Sequence, residues 1–281
     1  MRVGSKRHPP PAPEPLSPLI DAHTHLDACG ADDGADVRAI VDRAAAVGVV
    51  AVVTIADDLA SARWVTRAAE WDPRVYAAVA LHPTRAAALT DAARAEIERL
   101  AAHPRVVAVG ETGMDLYWPS RLEGCAEPAE QREAFAWHID LAKRIGKPLM
   151  IHNREADAEV LDVLRAEGAP DTVIFHCFSS GHYLARACVD AGWLVSLSGT
   201  VSFRNARELR EAVPLIPAAQ LLVETDAPFL TPHPHRGAPN EPYCLPYTVR
   251  ALAELVDRPA EELAETTTGN ARRAYRLAAR G

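Results

Sequence analysis

Long apolar runs are missing from this 281-residue chain. No stretch approaches the ~20 uninterrupted apolar residues that a membrane helix needs, so no membrane span is expected. Cysteine is scarce and scattered: Cys29, Cys125, Cys177, Cys188 and Cys244 are odd in number and contain no CxxC. That argues against a disulfide framework and for reduced thiols in a cytoplasmic protein. The N-terminus carries basic residues but no apolar h-region, so it does not read as a secretory signal. Positive charge is short overall, with a net charge of −8 and a pI of about 5.8. A protein that grips nucleic acid through a broad basic face has the opposite balance. Action on phosphate esters would therefore need locally placed positive charge or metal. Interior Gly/Ser linkers and residue-level repeats are also absent, and no obligate protein partner is evident.

What is present is ample core material, 48% hydrophobic against 24% charged residues, which excludes disorder as the main state. Residues 1–18 hold six of the 22 prolines and read as a disordered arm carrying +2 from Arg2, Lys6 and Arg7 against Glu14. The remainder, 19–281, is close to the ~250 residues of a (β/α)8 TIM barrel and carries about −10. Its pattern alternates. Apolar runs at 19–22, 49–55, 75–81, 106–110, 148–152, 172–176, 193–197 and 221–225 read as strands. Segments of helical period lie near 36–47, 58–71, 90–102, 129–146, 155–167, 181–191, 205–213 and 246–256, with a terminal helix at 260–279. Continuous apolar strands alternating with helices are what a parallel sheet buried on both faces requires. The longest loops, roughly 111–128 and 226–245, follow the fourth and eighth strands, on the rim where function sits.

Five strand ends carry metal-ligating residue types: Asp21-Ala-His23-Thr-His25, Gly110-Glu111-Thr-Gly113, Ile151-His152, Phe175-His176-Cys177 and Glu224-Thr-Asp226. In a parallel barrel these ends share one rim. His23 and His25 are two apart and share a face of an extended segment. Four histidines and two carboxylates form a nitrogen/oxygen set suited to Zn²⁺, Mn²⁺, Fe²⁺, Co²⁺ or Ni²⁺, and with more oxygen ligands to Mg²⁺. Six ligands are too many for one open catalytic ion and right for two, which together activate a water and clamp a phosphoryl or carbonyl group. Such a pair needs an anionic bridge. A lysine carbamate is one solution, but Lys6, Lys143 and Lys147 all lie away from strand C-termini, whereas Glu111 stands at one. Asp226 is the expected proton acceptor. Asp21 and Glu224 read as carboxylates that orient histidines, or that bond strand-end backbone. Among arginines, Arg154 and Arg204 are placed to touch phosphate, with Arg236 and Asn240 of the eighth loop as further candidates. His82 reads as a substrate-side residue. His103, His138 and His182 read as surface or packing residues. His233 and His235 either line the cleft or belong to a rigid exposed loop.

Taken together, LIDAHTHLD, LHP, VGETGMD, PLMIHNRE, FHCFSSG, VETDAPFL, RGAPNEP and TTTGNARRAY resemble the TatD family of metal-dependent deoxyribonucleases, over nearly all of residues 19–279. The resemblance implies a (β/α)8 barrel with two divalent ions, Mg²⁺, Mn²⁺ or Zn²⁺. One ion would lie on His23, His25, Glu111 and Asp226, and the other on Glu111, His152 and His176. It implies hydrolysis of DNA phosphodiesters, short or single-stranded DNA being the substrate of a 3′-to-5′ exonuclease or of an endonuclease. Two departures stand out: ALHPT where many members have GIHPH, and an extra residue in FHCFSSG. The rival on the same scaffold is a lactonase, phosphotriesterase or amidase, which the acidic surface favours slightly. A rival of another class is a non-catalytic metal-binding protein, against which the intact ligand set argues.

Overall fold

A computed structural model describes residues 7–16 and 18–277. Among the described residues, eight parallel strands follow one another in sequence order around a single sheet. They are β1 (Leu19–Thr24), β2 (Val49–Ile55), β3 (Val75–Val79), β4 (Val106–Asp115), β5 (Leu149–Arg154), β6 (Val173–Phe175), β7 (Leu194–Leu197) and β8 (Leu221–Val223). Helices alternate with them: α1 (Gly34–Ala45), α2 (Leu59–Trp71), α3 (Asp91–Ala101), α4 (Pro128–Ile145), α5 (Asp157–Glu167), α6 (His182–Ala191), α7 (Arg207–Ala212), α8 (Leu245–Val256) and α9 (Ala260–Ala274). This is the (β/α)8 barrel that the alternating pattern predicts. The last residues of the expected terminal helix, 278–279, lie outside the described residues. No helix among the described residues is long and apolar enough to cross a membrane.

Alternation along each strand builds two cores. Leu19, Val49, Val52, Val106, Val109, Leu149, Ile151, Val173 and Phe175 face the helices in the larger cluster. Ile20, Ala51, Val53, Ile55, Ala78, Met150, Ile174 and Leu222 fill the barrel interior. The interior is closed at one end by the last turn of α9 and the residue that follows it, Tyr275, which donates its hydroxyl to the carbonyl of Ala22 at 3.0 Å. Between β8 and β1 the ring is joined beyond the strand ends, by the Asp226 N–H to His23 O at 2.9 Å and the His25 N–H to Ala227 O at 2.8 Å. The carboxylate of Asp21 crosses the same seam to accept from the Thr225 N–H at 2.9 Å and the Thr225 hydroxyl at 2.5 Å.

Alternation breaks in several places, and two of the breaks bear on the cluster at the strand ends. In β1, Asp21 pairs with Val52 but Thr24 with Thr54, an extra residue on β1. In β4, Val109 pairs with Leu149 but Thr112 with Ile151, again one residue too many. Strict alternation from Ile20 and Val109 would turn His23 and Glu111 toward the helices. The two bulges turn them inward instead. β4 also runs five residues past its expected end, to Asp115, so part of the anticipated fourth loop is strand. Gly110 and Gly113 make this possible: a Cβ on Gly110 would stand 2.4 Å from the Met150 Cβ, and one on Gly113, at φ +139°, would stand 2.1 Å from the His152 carbonyl oxygen.

Of the segment expected as a disordered arm, residues 1–6 and 17 lie outside the described residues, and 7–16, without regular secondary structure, lie against the barrel. Tyr243 donates to Pro10 O at 2.7 Å, Tyr247 to Pro11 O at 3.0 Å, and Arg250 to Glu14 O at 2.9 Å. Leu16 is 3% exposed within the main core. Proline lacks a donor but keeps its carbonyl, so a proline-rich strand can be held by side chains that donate to it.

The segment's contribution is measurable. Leu16→Ala should destabilise the fold by about 2–5 kcal/mol in urea unfolding, as for other buried leucines. A solvated arm would give no change.

Candidate metal centre

Side chains from β1, β4, β5, β6 and the loop after β8 meet at the barrel mouth. Glu111, 3% exposed, occupies the middle, and its two carboxylate oxygens face different partners. Oε1 lies 3.8 Å from His23 Nε2 and 3.9 Å from His25 Nε2. Those two nitrogens are 3.2 Å apart, and Asp226 Oδ1 stands 3.7 Å and 3.6 Å from them. Oε2 lies 2.6 Å from His176 Nε2 and 3.2 Å from His152 Nδ1, with those two nitrogens 3.4 Å apart. The six predicted metal-ligating residues are thus brought together, with different partners on the two oxygens of Glu111; the groups also touch, since the His23 and His176 rings stack 3.8 Å apart and donor atoms of His23, His176 and Asp226 lie close enough for one ion.

The donor set fits metal. Two ligand atoms about 2.1 Å from one ion at the tetrahedral angle stand about 3.4 Å apart. The spacings on the Oε1 side bracket that value, and those on the Oε2 side reach up to it. His82, read as a substrate-side residue, also falls close enough to Glu111 and His152 for one ion to touch all three.

Each imidazole offers one nitrogen to the cluster and turns the other outward, and the carboxylate hydrogen bond behind His152 is of the kind that fixes ligand orientation in metal sites. His152 is held at Nε2 by Asp115 Oδ2, 3.0 Å away. His176 Nδ1 faces Glu224 Oε1 at 3.4 Å, and His25 Nδ1 faces Asp57 Oδ1 at 3.8 Å. His23 Nδ1 meets Met150 Sδ at 3.1 Å. Asp21 therefore takes the second of its two predicted roles: it accepts from the His23 backbone N–H at 3.3 Å and from Thr225, not from an imidazole.

Electrostatics at the mouth follow from burial. Burial alone would raise Glu111 and lower His176, but their contact outweighs it. It holds the carboxyl well below the usual range and the imidazole well above. Burial would likewise lower His25, yet the carboxylates of Asp226, Asp57 and Glu111 keep it up at about 9. The same carboxylates would serve a cation equally well, and metal binding would release these protons. Burial and the neighbouring His152 push His82 down to about 3, so it is a neutral donor or acceptor. Burial pushes Asp21 up to about 8 against the hydrogen bonds from Thr225.

Around the cluster lies a cleft of about 630 Å³, within the usual range for small-ligand sites. Arg154 lines it, its guanidinium 3.9 Å from the ring centre of Tyr117 and 5.3 Å from that of Trp118. The other three predicted substrate contacts do not reach it. Arg204 is exposed beyond β7. Arg236 packs over the Phe203 ring at 4.3 Å and donates to Asn205 at 3.1 Å. Asn240 is buried, with its amide donating to the carbonyls of Thr225 and Phe229 at 3.0 Å and 2.5 Å. His233 is exposed and His235 packs against Tyr247, so neither lines the cleft. His138 is fully buried, accepting from the Leu81 N–H and bonded to Ala134 O, a packing residue as expected. Sequence reasoning missed Asp57, Arg85, Trp118 and Phe229 as cleft residues. The signal for Arg85 was its place three residues after His82, directly beyond the third strand.

Comparison with known proteins places these residues in a wider group. The family model described as TatD related DNase matches residues 20–276. The chain is 81% identical over 259 residues, covering 92% of it and 98% of the relative, to a Mycobacterium tuberculosis protein named uncharacterized metal-dependent hydrolase TatD. It is 34% identical to the 3′-5′ ssDNA/RNA exonuclease TatD of Musicola paradisiaca, covering 88% of this chain and 94% of that one. Its fold matches the crystal structure of YJJV, a TatD homologue from Escherichia coli, with a TM-score of 0.84 at 28% identity, over 92% of this chain and 98% of that chain.

The carboxylate behind His152 gives the first test of the centre. Asp115→Asn keeps the shape but replaces the acceptor of the Nε2–H. It should weaken metal affinity by about 10–100-fold, read by competition with a chelating dye. Unchanged affinity would mean that His152 needs no support.

Proposed function

The chain belongs to the TatD related DNase family of metal-dependent hydrolases, and from that premise we propose that it shortens single-stranded DNA from the 3′ end by phosphodiester hydrolysis at a two-ion centre. The observation that carries the reading is the divided carboxylate of Glu111, with two imidazoles on each oxygen and Asp226 beside the His23–His25 pair. Support for the substrate comes from the relatives named as 3′-5′ ssDNA/RNA exonucleases and from the arginines of the cleft.

Divalent ions held by His23, His25, Asp226, Glu111, His152 and His176 would supply a water activated at neutral pH and positive charge for a phosphoryl oxygen. The protein's own part is positioning and proton movement. Asp226 sits at the rim of the cluster, 8% exposed, with its carboxylate on the cleft side. From there it accepts the proton of the attacking water and returns it to the leaving 3′ oxygen of the neighbouring nucleotide. Arg154 is held over Tyr117 and Trp118, so its fork is preorganised for a non-bridging phosphate oxygen. Arg85 is exposed on the adjoining wall and suited to the next phosphate along. Neither forms an ion pair within 4 Å among the described residues. His82, neutral and bonded to Thr84 at 2.7 Å, adds a hydrogen-bonding group without charge.

The reading is tested with end-labelled single strands, Mg²⁺, Mn²⁺ or Zn²⁺, and EDTA. Metal-dependent shortening from the 3′ end is expected. Glu111→Gln should bind fewer than two ions per chain by elemental analysis and lose at least about 100-fold in rate, the scale of losing a key electrostatic group. Intact DNA beside hydrolysed lactone or carboxylic ester would overturn the substrate. Two ions and near-normal turnover in Glu111→Gln would overturn the centre. Salt dependence gives a separate check. Two phosphate contacts on a single strand predict a slope near −1.4, or about sevenfold weaker binding between 50 and 200 mM salt. A neutral ester substrate would show almost no slope.

A further inference from the structure

Phe229 is the one large apolar side chain of the cleft wall that stands open to solvent, at 55% exposed. Its backbone is the opposite of loose. The Phe229 N–H donates to Asp226 O at 2.9 Å, and its carbonyl accepts from the buried Asn240 amide at 2.5 Å. The following residue, Leu230, passes so close to Gly199 that any Cβ there would strike the Leu230 carbonyl oxygen at 2.0 Å. An exposed phenyl ring on a pinned backbone is a preorganised apolar surface, because no described residue covers it and little motion is left to lose on binding. The ring packs T-shaped against His25, with centroids 6.0 Å apart, which sets it beside the metal cluster. On the far side of the eight-stranded ring, Trp118 lines the same cleft from the loop after β4, under the Arg154 guanidinium. Aromatic faces beside unpaired arginines are the pattern by which proteins hold single-stranded nucleic acid without reading its sequence.

We propose that Phe229 is a stacking platform for the base of the nucleotide next to the scissile phosphate, and that Asn240 acts as a positioning residue which holds that platform. The proposal rests on the nuclease reading and narrows it: the substrate must present an unpaired base at the cleft. Asn240, expected from sequence to touch substrate, then acts through Phe229 and not directly.

The test compares the metal-loaded wild type, Phe229→Ala and Phe229→Trp on two single strands. One carries normal bases throughout, and the other carries abasic tetrahydrofuran units at its last two positions. Stacking predicts a KM about tenfold or more lower for the base-bearing strand in the wild type. Phe229→Ala should raise KM on that strand by a similar factor, leave kcat within about twofold, and abolish the difference between the strands; Phe229→Trp should restore it. Metal content and melting temperature should be unchanged in both variants, because the side chain is exposed. A base-to-abasic ratio that persists in Phe229→Ala overturns the platform while leaving the nuclease reading intact. So does a variant that loses kcat or metal at constant KM, which would make Phe229 a support for His25. A wild type that cleaves neither strand overturns the nuclease reading and the platform with it.

Discussion

A carboxylate buried among imidazoles is the constraint around which this barrel is arranged. An isolated charge at the depth of Glu111 would be strongly unfavourable, and only paired groups that stay close make it tolerable. His176 at 2.6 Å and His152 at 3.2 Å provide that pairing on one oxygen, and His23 and His25 stand by the other. Several otherwise separate features serve this one placement. The extra residue in β4 turns Glu111 inward, and the extra residue in β1 turns His23 and His25 to meet it. Two glycines let β4 lie against β5 closely enough for His152 to reach. The β8–β1 seam is bonded through the backbones of His23, His25 and Asp226 themselves, so the closure of the barrel and the geometry of the ligands are the same hydrogen bonds.

The second ring of contacts explains why the cluster is precise as well as crowded. His23, His25 and His176 turn Nε2 to the centre, while His152 alone turns Nδ1. The inversion follows from Asp115, which β4 delivers only because it continues past Glu111 for four more residues. A shorter fourth strand would leave His152 without its acceptor and free to rotate. The length of β4 is therefore part of the site, and the glycines that permit that length are as much a requirement as the ligands.

Much of this was legible in the sequence, and the illegible parts share a cause. The strands were readable because parallel strands buried on both faces are continuous apolar runs. His152, His176 and Glu224 follow from simple alternation, two residues beyond Met150, Ile174 and Leu222 of the barrel interior. His23 and Glu111 do not, since alternation sends them outward, and only their residue types announced them. A bulge is set by pairing with a neighbouring strand, so a one-dimensional pattern does not contain it. The same holds for residues 7–16, whose proline content reads as disorder until the donors of Tyr243, Tyr247 and Arg250, more than two hundred residues away, are brought alongside. Arg204, Arg236 and Asn240 were placed by proximity to strand ends, but loops choose their own side-chain directions. Phe229 carries no chemical type that announces it, and only its exposure in the fold distinguishes it from a core aromatic.

Charge then decides how a nucleic acid can approach. The body carries about −10, and at physiological ionic strength its field fades over roughly 8 Å. A strand laid along the surface would gain little from the protein and meet mostly carboxylates. A strand end entering the mouth meets Arg85 and Arg154, with acidic surroundings screened behind it. Two guanidiniums release only about 1.4 counterions from a single strand, which is too little to hold it by charge alone. The stacking of one base is worth about 1–3 kcal/mol by comparison. For the proposed substrate, an acidic barrel with so few cations at its mouth would leave most of the affinity to the aromatic wall, and that would favour an unpaired, flexible end over a duplex whose bases are already stacked on one another.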